Sequence, residues 1–216
     1  IKSNIMHKFT DIRMAVISLA ILVSASCTEK LERDWKQFEP FTEHFNLTEI
    51  DADGNEYLEV SAVKSISKSD VEKYVIGNGW KSVAVYELDR NKDVAGVWEL
   101  KDDLQLINEQ TLHDCFEVKG FGENQLIQYG LLDGRYEDLD FAYDENDNSI
   151  SLDACWFVAH NGKLVFLSDD VMVCVDGKEW VAEGRNPYVF MVVFEKVSKS
   201  TLKEWRKKCP DPRLWI

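Results

Sequence analysis

From Trp80 onward the chain alternates apolar and polar residues with a period of two, the mark of half-buried strands. The alternation predicts strands at Lys81–Leu88, Val94–Leu100, Gln105–Glu109, Cys115–Lys119, Gln125–Leu131 and Asp138–Tyr143. It continues at Ser149–Val158, Lys163–Leu167, Val171–Val175, Glu179–Glu183 and Tyr188–Val197. The connectors Asp144-Glu-Asn-Asp-Asn148, His160-Asn-Gly162 and Asp176-Gly177 are turn-formers between alternating runs, so neighbouring strands are expected to pair antiparallel. No long helical stretch separates them, which excludes a parallel βαβ arrangement.

Helical spacing flanks this region. Leu31, Trp35 and Phe38 fall on one helical face before Pro40, followed by the small apolar pair Phe41 and Phe45. Residues 67–77 predict a helix of about two turns, with Ser69 and Glu72 as a capping box, Val71, Tyr74 and Val75 as its apolar face, and Gly77 as its stop. Thr201 and Glu204 suggest a second capping box, opening a helix with Leu202, Trp205 and Cys209 on one face and Lys203, Arg206, Lys207 and Lys208 on the other. That basic face reads as the solvated side of a helix closing the sheet, or as a patch for an acidic partner.

The fold class is therefore mainly β, an antiparallel up-and-down β-barrel with short flanking helices, with a β-sandwich as the alternative. Several strands are apolar on both faces. Tyr188, Phe190, Val192 and Phe194 oppose Val189, Met191 and Val193, and Leu164 and Phe166 oppose Val165 and Leu167. A wall facing water alternates, so the N-terminal segment, the terminal helix or a partner is expected to cover part of it.

A helix, the stretch Gly77-Asn-Gly-Trp80, consecutive hairpins and a terminal helix together resemble the lipocalin-like (calycin) domains of bacterial outer-membrane lipoproteins. The resemblance covers residues 65–209. It implies that Trp80 plugs the closed end of the barrel and that a basic residue of the final strand region, Lys196 or Lys199, stacks on it. It also implies a small apolar or amphipathic ligand held in the barrel. The candidate lining is Trp80, Trp156, Phe166, Phe190 and Phe194.

Upstream lies Met14-Ala-Val-Ile-Ser-Leu-Ala-Ile-Leu-Val-Ser-Ala-Ser-Cys27. Its apolar run is too short to span a bilayer but suits a signal-peptide core. Lys2, Lys8 and Arg13 supply the basic flank, and Ser24, Ala25 and Ser26 the small residues of a cleavage site. The stretch resembles the lipobox of bacterial lipoproteins, with Ser24 where that family usually has Leu. The resemblance implies diacylglyceryl attachment at Cys27, a membrane anchor, and a cell-envelope location on either face of the outer membrane. The expected organisation is a signal peptide at 1–26, a lipidated N-terminus with tether and short helical segment at 27–64, the barrel at 65–209 and a tail at 210–216.

Composition narrows the partners. The net charge is −14, and it becomes two units more negative without Lys2, Lys8, Asp11 and Arg13. Such a surface repels phosphate backbones, so no nucleic-acid partner is expected. Cys115, Cys155, Cys174 and Cys209 remain beyond the leader. They allow three disulfide pairings, or stay as buried free thiols. None forms Cys-x-x-Cys, so a zinc knuckle or redox motif is not indicated.

Candidate chemistry is sparse. Asp51-Ala-Asp-Gly-Asn-Glu-Tyr-Leu-Glu59 begins like a calcium loop, with Asp51, Asp53 and Asn55 at alternating positions. Glu56 then replaces the glycine of the sharp turn and Ala62 the bidentate glutamate, which favours a polar turn. His113-Asp-Cys115 places a histidine and a thiol on one strand face, a pattern available to a cysteine nucleophile. His44 and His160 stand apart. Carboxylates in Tyr136-Glu-Asp-Leu-Asp140 and Ser168-Asp-Asp170 could pair for glycosidic chemistry, but such pairs are common in an acidic chain. No Gly-x-Ser-x-Gly, phosphate loop or Rossmann fingerprint occurs, so no cofactor and no catalysis are expected. The expected role is that of an envelope binding protein or a non-catalytic interaction module.

Overall fold

A computed structural model describes residues 35–52, 55–98, 100, 114–158, 162–177 and 186–215. The chain divides into two units, 1–40 and 41–216. In the first, residues 35–38 form a helical turn; Leu31 and Cys27 lie outside the described residues.

The second unit is built on a nine-stranded antiparallel sheet. Its strands are β3 (Asn78–Leu88), β4 (Val94–Trp98), β5 (Cys115–Val118), β6 (Gly122–Gly130), β7 (Arg135–Asp144), β8 (Ser149–Leu152), β9 (Gly162–Leu167), β10 (Val171–Gly177) and β11 (Val189–Lys196). Strand β11 pairs with β3 from Val189↔Leu88 to Lys196↔Trp80, so the sheet returns on itself and nearly closes a ring. Among the described residues its narrowest seam is β8–β9, joined at Ser149↔Lys163 and Ile150↔Gly162.

Strands β4 and β5 share one edge of β3. Val85–Leu88 of β3 pairs with β4, and Asn78–Lys81 with β5. Together they fill a single place in the ring. The ring is thus an up-and-down meander in which β3 is flanked on one side by both β4 and β5. The expected strands Gln105–Glu109 and Glu179–Glu183 lie outside the described residues.

The apolar run expected as one strand from Ser149 to Val158 does not continue past Leu152. Residues 153–158 turn inward instead, with Cys155 N–H donating to Leu152 O at 2.8 Å and Val158 N–H to Cys155 O at 3.1 Å. Gln128 Nε2 holds the turn by donating to Ala154 O at 3.1 Å. Cys155, Phe157 and Val158 are buried within the main core. The apolar character of this run serves a plug inside the ring rather than a second wall face.

One end of the ring is closed by helix α1 (Lys68–Tyr74). Its cap is Ser67, which accepts Asp70 N–H at 3.1 Å, rather than the expected Ser69. Val71 and Val75 pack on Trp80 in the core, and Trp80 Nε1–H points at Val75 O, 3.4 Å away. Trp80 is fully buried. Lys196 stands opposite it in the register, with its ammonium 2.5 Å from Asp169.

Two elements cover the outer wall. Helix α2 (Lys199–Lys208) is capped by Ser198, three residues before the expected cap Thr201. It lays Leu202, Trp205 and Cys209 on Cys115, Ile127 and Tyr129. A Cβ on Gly79 would sit 2.9 Å from both Leu202 and Val197, so the close approach of this helix requires glycine there.

The other cover was not among the predicted strands. It is a hairpin of β1 (Phe45–Ala52) and β2 (Asn55–Ala62), whose second strand packs on β9 and β10. Among its described side chains, Phe45, Leu58 and Val60 are buried. The calcium-loop-like stretch is the tip of this hairpin, with Asp51 opposite Glu56 and Ala52 opposite Asn55. A paired ladder keeps its two arms extended, where a calcium loop wraps round the ion; Asp53 lies outside the described residues.

Candidate functional site

The inner face of the ring carries Val85, Phe116, Phe141, Leu164, Met172, Cys174, Phe190, Val192 and Phe194. Phe116 and Phe194 meet edge to face at 5.4 Å. Phe190 and Phe194 therefore face inward as expected, yet both are buried core residues. Trp80 is buried with them in the same core cluster.

Phe166 is a correction. Leu167 stands opposite Met172 and Phe166 opposite Val173, but Leu164 stands opposite Cys174. Val165 is thus an extra residue, a β-bulge that reverses the alternation. Leu164 and Leu167 both turn to the core, and Phe166 is sent to the outer wall. There its ring lies 5.0 Å from Phe41 and 4.9 Å from His44.

Opposite the end closed by α1, the rings gather. Phe157 lies 4.9 Å from Phe190 and 5.2 Å from Trp98, and Tyr188 lies 5.4 Å from Phe190. Trp156 joins them at 5.3 Å from Phe157 and 6.2 Å from Phe190. Its neighbours are half-buried or buried, but Trp156 is 66% exposed. The inward turn of 153–158 explains both facts: it drives Phe157 into the ring and leaves the preceding indole on the rim.

Glu87 belongs to this end, and the alternation had not singled it out. It is buried, opposite Phe190 in the register, and its Oε1 accepts Trp98 Nε1–H at 2.9 Å. Gly96 makes room for it, since a Cβ there would lie 2.7 Å from Glu87 Oε2.

Deeper in the wall is a polar group that sequence spacing also missed. Asp114 N–H donates to Ser82 Oγ at 2.7 Å, and Ser82 N–H to Asp114 O at 2.9 Å. Burial pushes the Asp114 carboxyl up to about 6, partly offset by hydrogen bonds from Cys155 and Ser82. Its Oδ2 has no hydrogen-bond partner among the described residues. Burial, then the Asp114 charge, pushes the Cys155 thiol well up; burial and Asp176 do the same for Cys174. Such thiols are poor nucleophiles.

The other candidates do not come together as a site. Cys115 packs under α2 on the outer wall, and His113 and His160 lie outside the described residues. Asp138 is bound by Arg213 at 3.1 Å, and Asp169 by Lys196. Of the basic residues of α2, Arg206 is bound to Glu117. Cys115, Cys155, Cys174 and Cys209 are free thiols. Among the described residues no cluster suited to a metal ion is present, and no helix is long and apolar enough to cross a membrane. Comparison with protein-family models, curated proteins and solved structures finds no match to this chain.

Proposed function

We propose that this protein is a lipid-anchored binding module of the cell envelope that takes an apolar or amphipathic ligand against the aromatic end of its barrel. The observation that carries this reading is Trp156, a large indole left 66% exposed on a cluster of packed rings. Exposed aromatic side chains backed by a rigid apolar cluster suit binding, since little freedom is lost when a partner covers them. The anchor rests on the lipobox-like stretch ending at Cys27, where two or more acyl chains give lasting attachment.

A second reading is an accessory subunit that docks a protein on the same end. It is favoured by the way Cys155, Phe157 and Val158 occupy the interior, which moves any contact to the rim.

Titration of the full chain with the uncharged dye Nile red separates these readings. Saturable binding that is lost in Trp156→Ala, with thermal stability unchanged, supports the small-ligand reading. Weak linear uptake, or saturable binding indifferent to Trp156, sinks it. Labelled palmitate incorporated in the parent and absent from Cys27→Ser tests the anchor separately.

A further inference from the structure

The β1–β2 hairpin is a two-stranded sheet, so each strand has an outer edge, and strand edges recruit other strands. The ladder fixes which backbone groups face outward. Val63 N–H donates to His44 O at 2.8 Å, which makes 44–63 a hydrogen-bonded pair. Bonded pairs alternate in an antiparallel ladder, so Asn46–Ser61 and Thr48–Glu59 are bonded too. The N–H and C=O groups of Leu58, Val60 and Ala62 then point away from β1. Phe45, paired with Ala62, must point its carbonyl away from β2, and it does: Lys92 Nζ takes it at 2.5 Å.

The two edges therefore differ. Lys92 caps the Phe45 end of the β1 edge, holding Thr42 O as well at 2.8 Å. The edge of β2 opens on a groove of about 410 Å³, lined by the consecutive residues Glu59, Val60, Ser61 and Ala62 and faced by Asp147 and Lys163. Across the groove Lys163 is paired with Asp147 at 2.5 Å, which holds that carboxyl down at about 2. Glu59 makes no ion pair among the described residues and is exposed beside the edge.

We infer that the edge of β2 receives an extended strand of a partner protein bearing a basic side chain opposite Glu59. A peptide backbone is the complement of alternating N–H and C=O groups, and opposite charges across a ladder favour pairing. A second copy of this chain is disfavoured, because it would bring Glu59 and a net charge of −14 against their like.

The test uses the full chain and a short acetylated peptide alternating Lys and Val, read by amide hydrogen exchange. Val60 and Ala62 amides exchange freely in the chain alone and become protected by the peptide, while those of Glu59 and Ser61 are protected throughout. Protection of Val60 and Ala62 without peptide, or none at saturation, overturns the proposal. Val60→Pro removes an outward N–H and no β1 bond, and lowers peptide affinity roughly tenfold. Glu59→Lys leaves the ladder intact and shifts preference roughly fivefold toward a Glu/Val peptide. Affinity unchanged by both substitutions means the peptide binds elsewhere, which also overturns the proposal.

Discussion

Glu117 and Arg206 are joined across the outer wall of the barrel. Arg206 donates from Nε to Glu117 Oε2 at 3.0 Å and from Nη2 to Oε1, and the Tyr129 hydroxyl donates to the same Oε2 at 2.8 Å. The Glu117 side chain is only 3% exposed, while that of Arg206 is 55% exposed. The pair thus fastens α2 to β5 through a carboxylate that water barely reaches. Arg206→Ala is expected to destabilise the fold by about 1–3 kcal/mol, because a buried acceptor loses its charged donor. Arg206→Lys, lacking the two-pronged geometry, should recover only part of this. Urea denaturation of the variants checks both, and a neutral Arg206→Ala would mean that solvent replaces the guanidinium.

Asp114 gives the stability a pH dependence of definite sign. Its folded value of about 6 lies above the ordinary aspartate value of about 3.9, so the folded chain holds the proton more tightly. The favourable contribution is complete below the unfolded value and is lost as pH rises through the folded one. Between about pH 4 and 6 the parent should lose on the order of 2–3 kcal/mol from this group. Asp114→Asn should be flat across that window and more stable than the parent above about pH 7. Asp147, held down at about 2 by Lys163, acts below this range. Denaturation curves at several pH values decide the matter; a parent that is already flat contradicts the assignment.

Trp80 and Trp156 should separate core from rim. Trp80 is fully buried beneath α1, and Trp80→Ala should cost about 3–5 kcal/mol. Trp156→Ala removes an exposed ring and should stay within about 0.5 kcal/mol. Equal losses would show that Trp156 is a structural support rather than a presented surface.

The thiols offer a third kind of check. Cys115, Cys155, Cys174 and Cys209 are all free and buried, and burial raises the thiols of Cys155, Cys174 and Cys209. In the native chain these four should resist a water-soluble thiol reagent and should all react after denaturation. Rapid modification of any one of them in the native state would show local opening at that site.

The period-two alternation carried the barrel strands into view, because one wall face is apolar in each. It missed β1–β2 for a physical reason. Asp51, Asp53 and Asn55 recur at every second position, the spacing of one strand face as well as of a calcium loop's first ligands. The apolar positions Phe45, Leu47, Leu58 and Val60 kept the strand period on either side. Phe166 was misplaced by a one-residue bulge at Val165, which leaves no mark on the composition of the strand. The aromatic end was half legible: Trp156 and Phe190 were singled out, but an apolar run cannot say whether it extends along a wall or folds inward. Glu87 looked like an ordinary member of an acidic chain until the register put it inside, and Asp114 until its hydrogen bonds with Ser82 fixed it in the wall. Of the two strands expected to be covered, β9 lies under the hairpin, which also spans β10, while α2 covers β5 and β6.

The β3–β11 seam has a kinetic consequence. It joins Trp80 to Lys196, so the first strand of the meander must wait for the last before its second edge is satisfied. Contacts this distant in sequence close slowly, after the entropy of the intervening chain has been overcome. Until Lys196 has emerged from the ribosome, every nascent form leaves part of the second backbone edge of β3 unpaired. A chain arrested before that point cannot complete the ring, and a chaperone that shields β3 would act when the ring is most exposed to misassembly.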